Sequence, residues 1–506
     1  MGNELSGLNV SEGIVTIPNF TRRIGLPLLY AATLLTAAWL SHFAVFRNDV
    51  FPLRWQAEHL SIQHPESFYD GFFTIGYPLL IRLSEITGNP VLTVILLQIV
   101  LSVLFVVLLQ SFFKKTVSAE ASIIAFPFVL FFPHLARSIL TPTPDFIAAL
   151  LCLAGFVALV QKASNRRWAI AGILFGSAYL FRTHVLVLIF TLALALLLFQ
   201  HGQRLRSTVW YVVGAAPFII FQGLLQLWSG HGFFETSQAF NVWRVMYGMD
   251  WNNPPNLAGA GIWSLIGSKP WAFVNGFWIA IRNELWYILP LLAASIFLLM
   301  RTRWKKHNEL MILLVGVLIY VIITNSGGSP RNIIIVIPVI AMAVIYLIME
   351  ATSNIDATKK LQVAHSIAIL AWATGIAGMF FFSHLAAHRI EDYSEVEQVL
   401  HVQSKHDAHR IYTDDFDFYF PGLKYQSPRK SGGWPEVGLP HYIEMFPHIR
   451  DTSAQVLHED LVHNGIRWAV FRIPPYDGRG YESVKSDSTL FRLTYQTPLH
   501  KIYRVE

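Results

Sequence analysis

The sequence predicts a polytopic α-helical membrane protein of about eleven transmembrane helices, followed by a small C-terminal α/β domain outside the bilayer. Three observations carry that prediction. Hydrophobic residues make up 54% of the 506-residue chain and charged residues 14%. The apolar residues come in runs long enough to cross a bilayer. The clusters of basic residues fall in every second gap between those runs, whereas isolated acids and arginines fall in the others.

In chain order the runs lie at 25–46, 91–113, 120–133, 142–161, 168–181, 185–200, 208–228, 283–300, 309–325, 332–349 and 364–383. The first follows Arg22 and Arg23, is too long for a signal-peptide core and has no small-residue cleavage site after it, so it reads as a retained anchor. The clusters Lys114/Lys115, Lys162/Arg166/Arg167, Arg204/Arg206 and Lys359/Lys360, together with Arg301, Arg303, Lys305 and Lys306, mark the cytoplasmic gaps. The N-terminus is therefore expected inside and the C-terminus outside a cytoplasmic (inner) membrane. The net charge of +6 resides largely in these topogenic gaps and gives no reason to expect a nucleic-acid partner. The single cysteine, Cys152, lies inside a run and excludes an intramolecular disulfide.

The expected division is a transmembrane domain over 1–383, with large outer loops at 47–90 and 229–277, and an extracytoplasmic domain over 384–506. In that last stretch Tyr393–Ser404 and Ala454–Asn464 read as helices. Arg410–Thr413, Ile466–Ile473, Phe491–Tyr495 and Lys501–Val505 read as strands.

The candidate chemistry lies on the outer side. Asp49 stands just past the exit of the first run, Asp70 precedes a short apolar segment, and Asp145 opens the fourth run after two prolines. An ionisable group near membrane depth is costly and often functional. Asp145, with Thr141 and Thr143, also suits a helix N-terminus, where a carboxylate meets free N–H groups and a favourable dipole. The runs 168–181 and 185–200 are short, so the FRTH turn between them should sit recessed, placing Arg182 and His184 at depth. Arg331 opens the tenth run at a similar level. None of these has a topogenic role. Arginine is the side chain best shaped to grip a phosphate through two donors, although an interface arginine that snorkels is the plainer reading of each alone.

Outward acids and arginines at the membrane boundary suit sugar transfer from a polyprenyl phosphate carrier. The tail stays in the bilayer, arginine meets the phosphate, and a carboxylate takes the proton of an acceptor hydroxyl. The motifs FRND, YDGFFTIGYPLL, LTPTPD and SPRNIIIVIPVI, in this order, resemble the GT-C membrane glycosyltransferases, especially relatives of the protein mannosyltransferases and aminoarabinose transferases. The resemblance implies a shared membrane core with an outer C-terminal domain, a polyprenyl-phosphate-linked sugar donor, and a glycan, lipid or protein acceptor. It implies catalytic roles for Asp49 and Asp145, and substrate contacts for Asp70, Arg182, His184 and Arg331. Asn48–Asp49 stands where many mannosyltransferases carry an Asp-Glu pair, which weakens the case for a divalent cation.

Trp243, Tyr247 and Trp251 suit sugar stacking or an interfacial aromatic belt, and Asp250 and Glu284 are equally ambiguous. His384, His388 and Glu391 have i, i+4, i+7 spacing but read as solvated residues at a helix exit, and no metal site follows from them. A polymerase or ligase using a diphosphate-linked donor is the nearest alternative function. A transporter is the more distant one, since no internal repeat accompanies the spans.

Overall fold

The computed structural model describes residues 19–41, 53, 56–57, 60–63, 65–69, 73–117, 119–161, 164–200, 202–234, 270–283, 285–300, 308–324, 330–352, 362–363, 365–384, 399, 411–413, 453–463, 465–473, 478–498 and 500–506. Helices cover the predicted runs. They are α1 (Asn19–Leu40), α2 (Gly76–Ser84), α3 (Pro90–Thr116), α4 (Ala119–Leu130), α5 (Pro133–Leu140), α6 (Asp145–Leu159), α7 (Asn165–Tyr179), α8 (Val185–Phe199), α9 (Arg204–Trp228), α10 (Pro270–Asn283), α11 (Leu285–Met300), α12 (Asn308–Thr324) and α13 (Ile337–Ala351), then α14 (His365–His384). A 3₁₀ turn, Pro330–Ile335, precedes α13.

Local chemistry sets several boundaries. The Asn89 side chain accepts from the Leu92 N–H at 3.1 Å, Pro90 occupies the first helical position, and Lys114 and Lys115 close the last turn of α3 where the dipole favours cations. Ser164 caps α7 by accepting from the Arg167 N–H at 3.2 Å. The run expected over 120–133 ends at Leu130, because Pro133 cannot continue a helix and instead starts α5. The expected span at 142–161 is one arm of a broken pair: α5 and α6 meet at 117° across the TPTP turn.

Among the described residues, Leu92–Thr116, Arg204–Trp228 and His365–His384 are individually long and apolar enough to cross a membrane, and the bent α5–α6 pair can supply a fourth crossing. Others are shorter. At 15 residues, α7 and α8 extend about 23 Å against a hydrocarbon core of about 30 Å, which recesses the turn between them or thins the bilayer around it.

The helices pack around an apolar core threaded by the edge-to-face and tilted rings of Phe105, Phe146, Phe112, Phe156, Phe175 and Tyr211. Glycine brings α7 and α9 together. A methyl group at Gly172 would overlap the Tyr211 carbonyl, and one at Gly214 would overlap the Ala169 carbonyl, so the two backbones approach as only small residues permit.

Beyond the bundle, β1 (Ile411–Thr413), β2 (Trp468–Arg472), β3 (Phe491–Gln496) and β4 (His500–Val505) form a sheet in the order β1-β2-β4-β3. β1 is parallel to β2, and the other pairs are antiparallel. Two helices accompany them, α15 (Ala454–His463) and α16 (Gly478–Ser486). Tyr412, Leu457, Leu461, Phe471, Phe491 and Tyr503 share a separate apolar cluster. Strands and α15 lie where hydropathy places them, whereas α16, with its polar GRGYESVKS sequence, carries no apolar signal. The helix expected over Tyr393–Ser404 lies almost wholly outside the described residues.

Candidate active site

The end of the bundle opposite the basic helix ends gathers a polar cluster. Its centre is Asp145, at the start of α6. Pro144 and the turn before it aim this residue inward, where its side chain is buried at 2% exposure. The FRTH turn brings Arg182 to it. Arg182 Nε donates to Asp145 Oδ1 at 2.6 Å, and Nη2 donates to the same oxygen. The pair is buried on both sides. Two opposite charges out of water justify their desolvation only through mutual contact, so neither residue is tolerable there without the other.

His184, at the N-terminal edge of α8, sits beside the Tyr320 ring with centroids 6.3 Å apart. Its Nε2 is buried without a hydrogen-bond partner among the described residues. Tyr320 in turn fixes the Arg331 segment: its hydroxyl donates to the Asn332 carbonyl at 3.0 Å, and the Asn332 amide donates to the Thr324 carbonyl at 3.2 Å. Arg331 is half-buried at the head of the 3₁₀ turn that packs on α6. The structure thus assembles Asp145, the Arg182–His184 turn and the Arg331 segment from three separate stretches of chain. Asp49 and Asp70 lie outside the described residues, as do Trp243, Tyr247, Asp250, Trp251, Glu284, His388 and Glu391.

A second layer holds the first in place. Gln98, in the middle of α3, donates through Nε2 to the carbonyls of Ser138, Ile139 and Thr141 at 3.1, 2.9 and 2.9 Å. These are carbonyls that α5 leaves open where it ends. The Gln98 oxygen accepts from the Tyr77 hydroxyl at 2.8 Å. The IGYP segment is tied at its other side as well. The Gly76 N–H donates to the Leu180 carbonyl at 2.7 Å, and the Ile75 N–H donates to Gln222 Oε1 at 3.3 Å. An ideal Cβ at Gly76 would stand 2.5 Å from the Leu180 oxygen, so this contact requires glycine. Farther out, Phe68 stacks on Trp228 with centroids 4.8 Å apart, and Ser229 donates to the Pro65 carbonyl at 2.7 Å.

Sequence reasoning passed over Gln98, Gln222 and Gln226. The signal was present, since a lone amide in an apolar run such as ILLQIVL or FQGLLQLW must find a buried partner. Among the described residues no three His, Cys, Asp or Glu side chains come together. Asp145, engaged by a guanidinium, is a poor ligand for a cation.

Residues 74–225, the stretch containing Tyr77, Gln98, Asp145, Arg182 and Gln222, match the family model for dolichyl-phosphate-mannose-protein mannosyltransferase. The fold is similar, at a TM-score of 0.51 and 12% identity, to the crystal structure of ArnT from Cupriavidus metallidurans bound to undecaprenyl phosphate. The match covers 95% of this chain and 98% of that one. The chain thus shares a fold with that enzyme, and the match to the mannosyltransferase model is confined to the stretch 74–225. The Archaeoglobus fulgidus oligosaccharyltransferase, solved with a tethered acceptor peptide, is a more distant match. It has a TM-score of 0.41 and 11% identity, covering 88% of this chain and 69% of that one. A sequence comparison with curated proteins finds no match. The Asp145–Arg182 pair and the turn that positions it fall inside the stretch that matches the family model.

Proposed function

We propose that this chain is a GT-C membrane glycosyltransferase that moves a sugar from a polyprenyl-phosphate carrier to an acceptor at the outer face of the cytoplasmic membrane. The convergence of Asp145, Arg182, His184 and the Arg331 segment at one end of the bundle carries the reading. The solved relative holds undecaprenyl phosphate, a carrier of the same chemistry.

In this reading about eleven spans place the N-terminus inside, with residues 384–506 forming an extracytoplasmic α/β domain. Asp49 removes the proton from an acceptor hydroxyl as its oxygen bonds to the anomeric carbon. The bond from that carbon to the phosphate oxygen breaks, and polyprenyl phosphate leaves with both electrons. Arg331 stabilises the charge that develops on the phosphate. Asp145 neutralises Arg182, so the pair supplies rigidity near the sugar. The remaining cationic contact with phosphate falls to Arg331, with His184 and Asp70 lining the substrate. The acceptor is a glycan, a lipid or a protein.

The test is transfer in proteoliposomes supplied with envelope extracts as acceptor and either monophosphate-linked or diphosphate-linked sugar. Monophosphate donors should be used. Asp49→Asn should lower turnover by about 10²–10⁴-fold with monodisperse protein. Use of diphosphate donors alone would replace this reading with that of a polymerase or ligase, and near-normal turnover in Asp49→Asn would move the base elsewhere.

A further inference from the structure

Three neutral polar side chains around the IGYP segment, which is tied to the turn carrying Arg182, have a use that the reaction chemistry does not assign. Thr74 is 1% exposed, Gln222 is 0% and Gln226 is 1%. Thr74 Oγ1, Gln222 Nε2 and Gln226 Oε1 are all buried without a hydrogen-bond partner among the described residues. They are neighbours by construction. Gln222 and Gln226 are one turn apart on α9 and so share a face. Gln222 Oε1 holds the Ile75 N–H at 3.3 Å, directly after Thr74. Gln226 meets the Tyr179 hydroxyl at the end of α7.

Folded proteins pair nearly all buried polar groups, so three open ones in one place ask for a ligand. Their chemistry narrows it. A hydroxyl that gives or takes, an amide N–H that gives and an amide oxygen that takes are all uncharged. A phosphate would call for cations and a peptide for an extended strand edge. A ring of hydroxyl groups, each both donor and acceptor, matches this set. Position narrows it further. The Gly76 N–H bond to Leu180 binds this segment to the turn carrying Arg182.

We propose that Thr74, Gln222 and Gln226 form the subsite that reads the hydroxyl groups of the donor sugar and thereby set its identity. The inference rests on the sugar-transfer reading for the nature of the donor, but binding tests it separately.

The probes are bare polyprenyl phosphate and the same carrier bearing a hexose or pentose, with single-deoxy versions of each, titrated against the full-length protein in detergent. The parent should prefer at least one sugar-bearing carrier to the bare one. Thr74→Val, Gln222→Met and Gln226→Met, close in volume to the natural residues, should each reduce that preference about fivefold to tenfold and leave binding of the bare carrier unchanged. Thr74→Ser, which keeps the hydroxyl, should retain the preference. One deoxy sugar should be insensitive to each substitution that removes its partner. Thermal stability should hold or rise in Thr74→Val, which removes only an unpaired buried hydroxyl, and fall modestly in Gln222→Met, which strands the Ile75 N–H.

Preference retained in all three variants, or absent in the parent, would overturn the subsite. A parent that shows this preference yet transfers no sugar would overturn the transfer reading and leave the subsite standing.

Discussion

At the scale of single residues the Asp145–Arg182 pair is the feature on which the site depends, and its energetics are asymmetric. Removing one partner strands the other charge in a buried setting, at a cost of about 3–5 kcal/mol, while replacing both with apolar groups of similar volume is often close to neutral. Asp145→Leu and Arg182→Met are therefore each expected to lower the thermal stability of the detergent-purified protein sharply, and the double variant should recover most of the loss. Additive losses in the double variant would show that the two side chains do not act as a pair. The sequence presents both residues as candidates but not their contact. Nothing periodic links positions 37 apart in the chain, and a carboxylate after two prolines reads equally well as a helix cap. Gln98 was legible in principle as a lone amide in an apolar run. Its three acceptors were not, because they exist only once α5 has ended and turned.

Among elements, the junction between the IGYP segment and the FRTH turn is the most exacting. Gly76 donates to Leu180 across a gap with no space for a side chain. Gly76→Ala should force the segment away at about 1–3 kcal/mol, the usual cost of overpacking. That movement would also loosen Tyr77 from Gln98. The expected outcome is faster proteolysis near residue 75 and reduced sugar transfer, whereas a protease pattern identical to the parent's would mean that the junction yields without consequence. Hydropathy located most helices of the bundle from α3 onward to within a few residues, because burying apolar runs is the dominant local constraint. It missed α5 and most of α10, which fall in stretches read as outer connections. It also missed α16, whose polar sequence is helical only through its neighbours in the sheet domain.

For the molecule as a whole, orientation decides which solution the candidate site faces. Lys114 and Lys115 end α3, and Arg166 and Arg167 begin α7, whereas Asp145 and Arg182 occupy the opposite ends of α6 and α7. Reporter fusions after Phe46, Gln200 and Glu506 are expected to report outside, inside and outside, and a cytoplasmic reporter at Glu506 would place the sheet domain on the wrong side for an acceptor arriving from outside. The general architecture was legible from the alternation of charge along the chain. The assembly of the site from three distant stretches was not, since it depends on the helix packing that glycines at 172 and 214 allow. The buried ion pair also bears on how the chain enters the membrane. At a synthesis rate of about 5–20 residues per second, Arg182 leaves the ribosome about 2–7 s after Asp145, given their separation of 37 residues. During that interval α6 carries an uncompensated acid that lipid rejects. The insertion machinery must then shelter α6 until α7 and the turn after it arrive, so these two helices enter the bilayer as one unit.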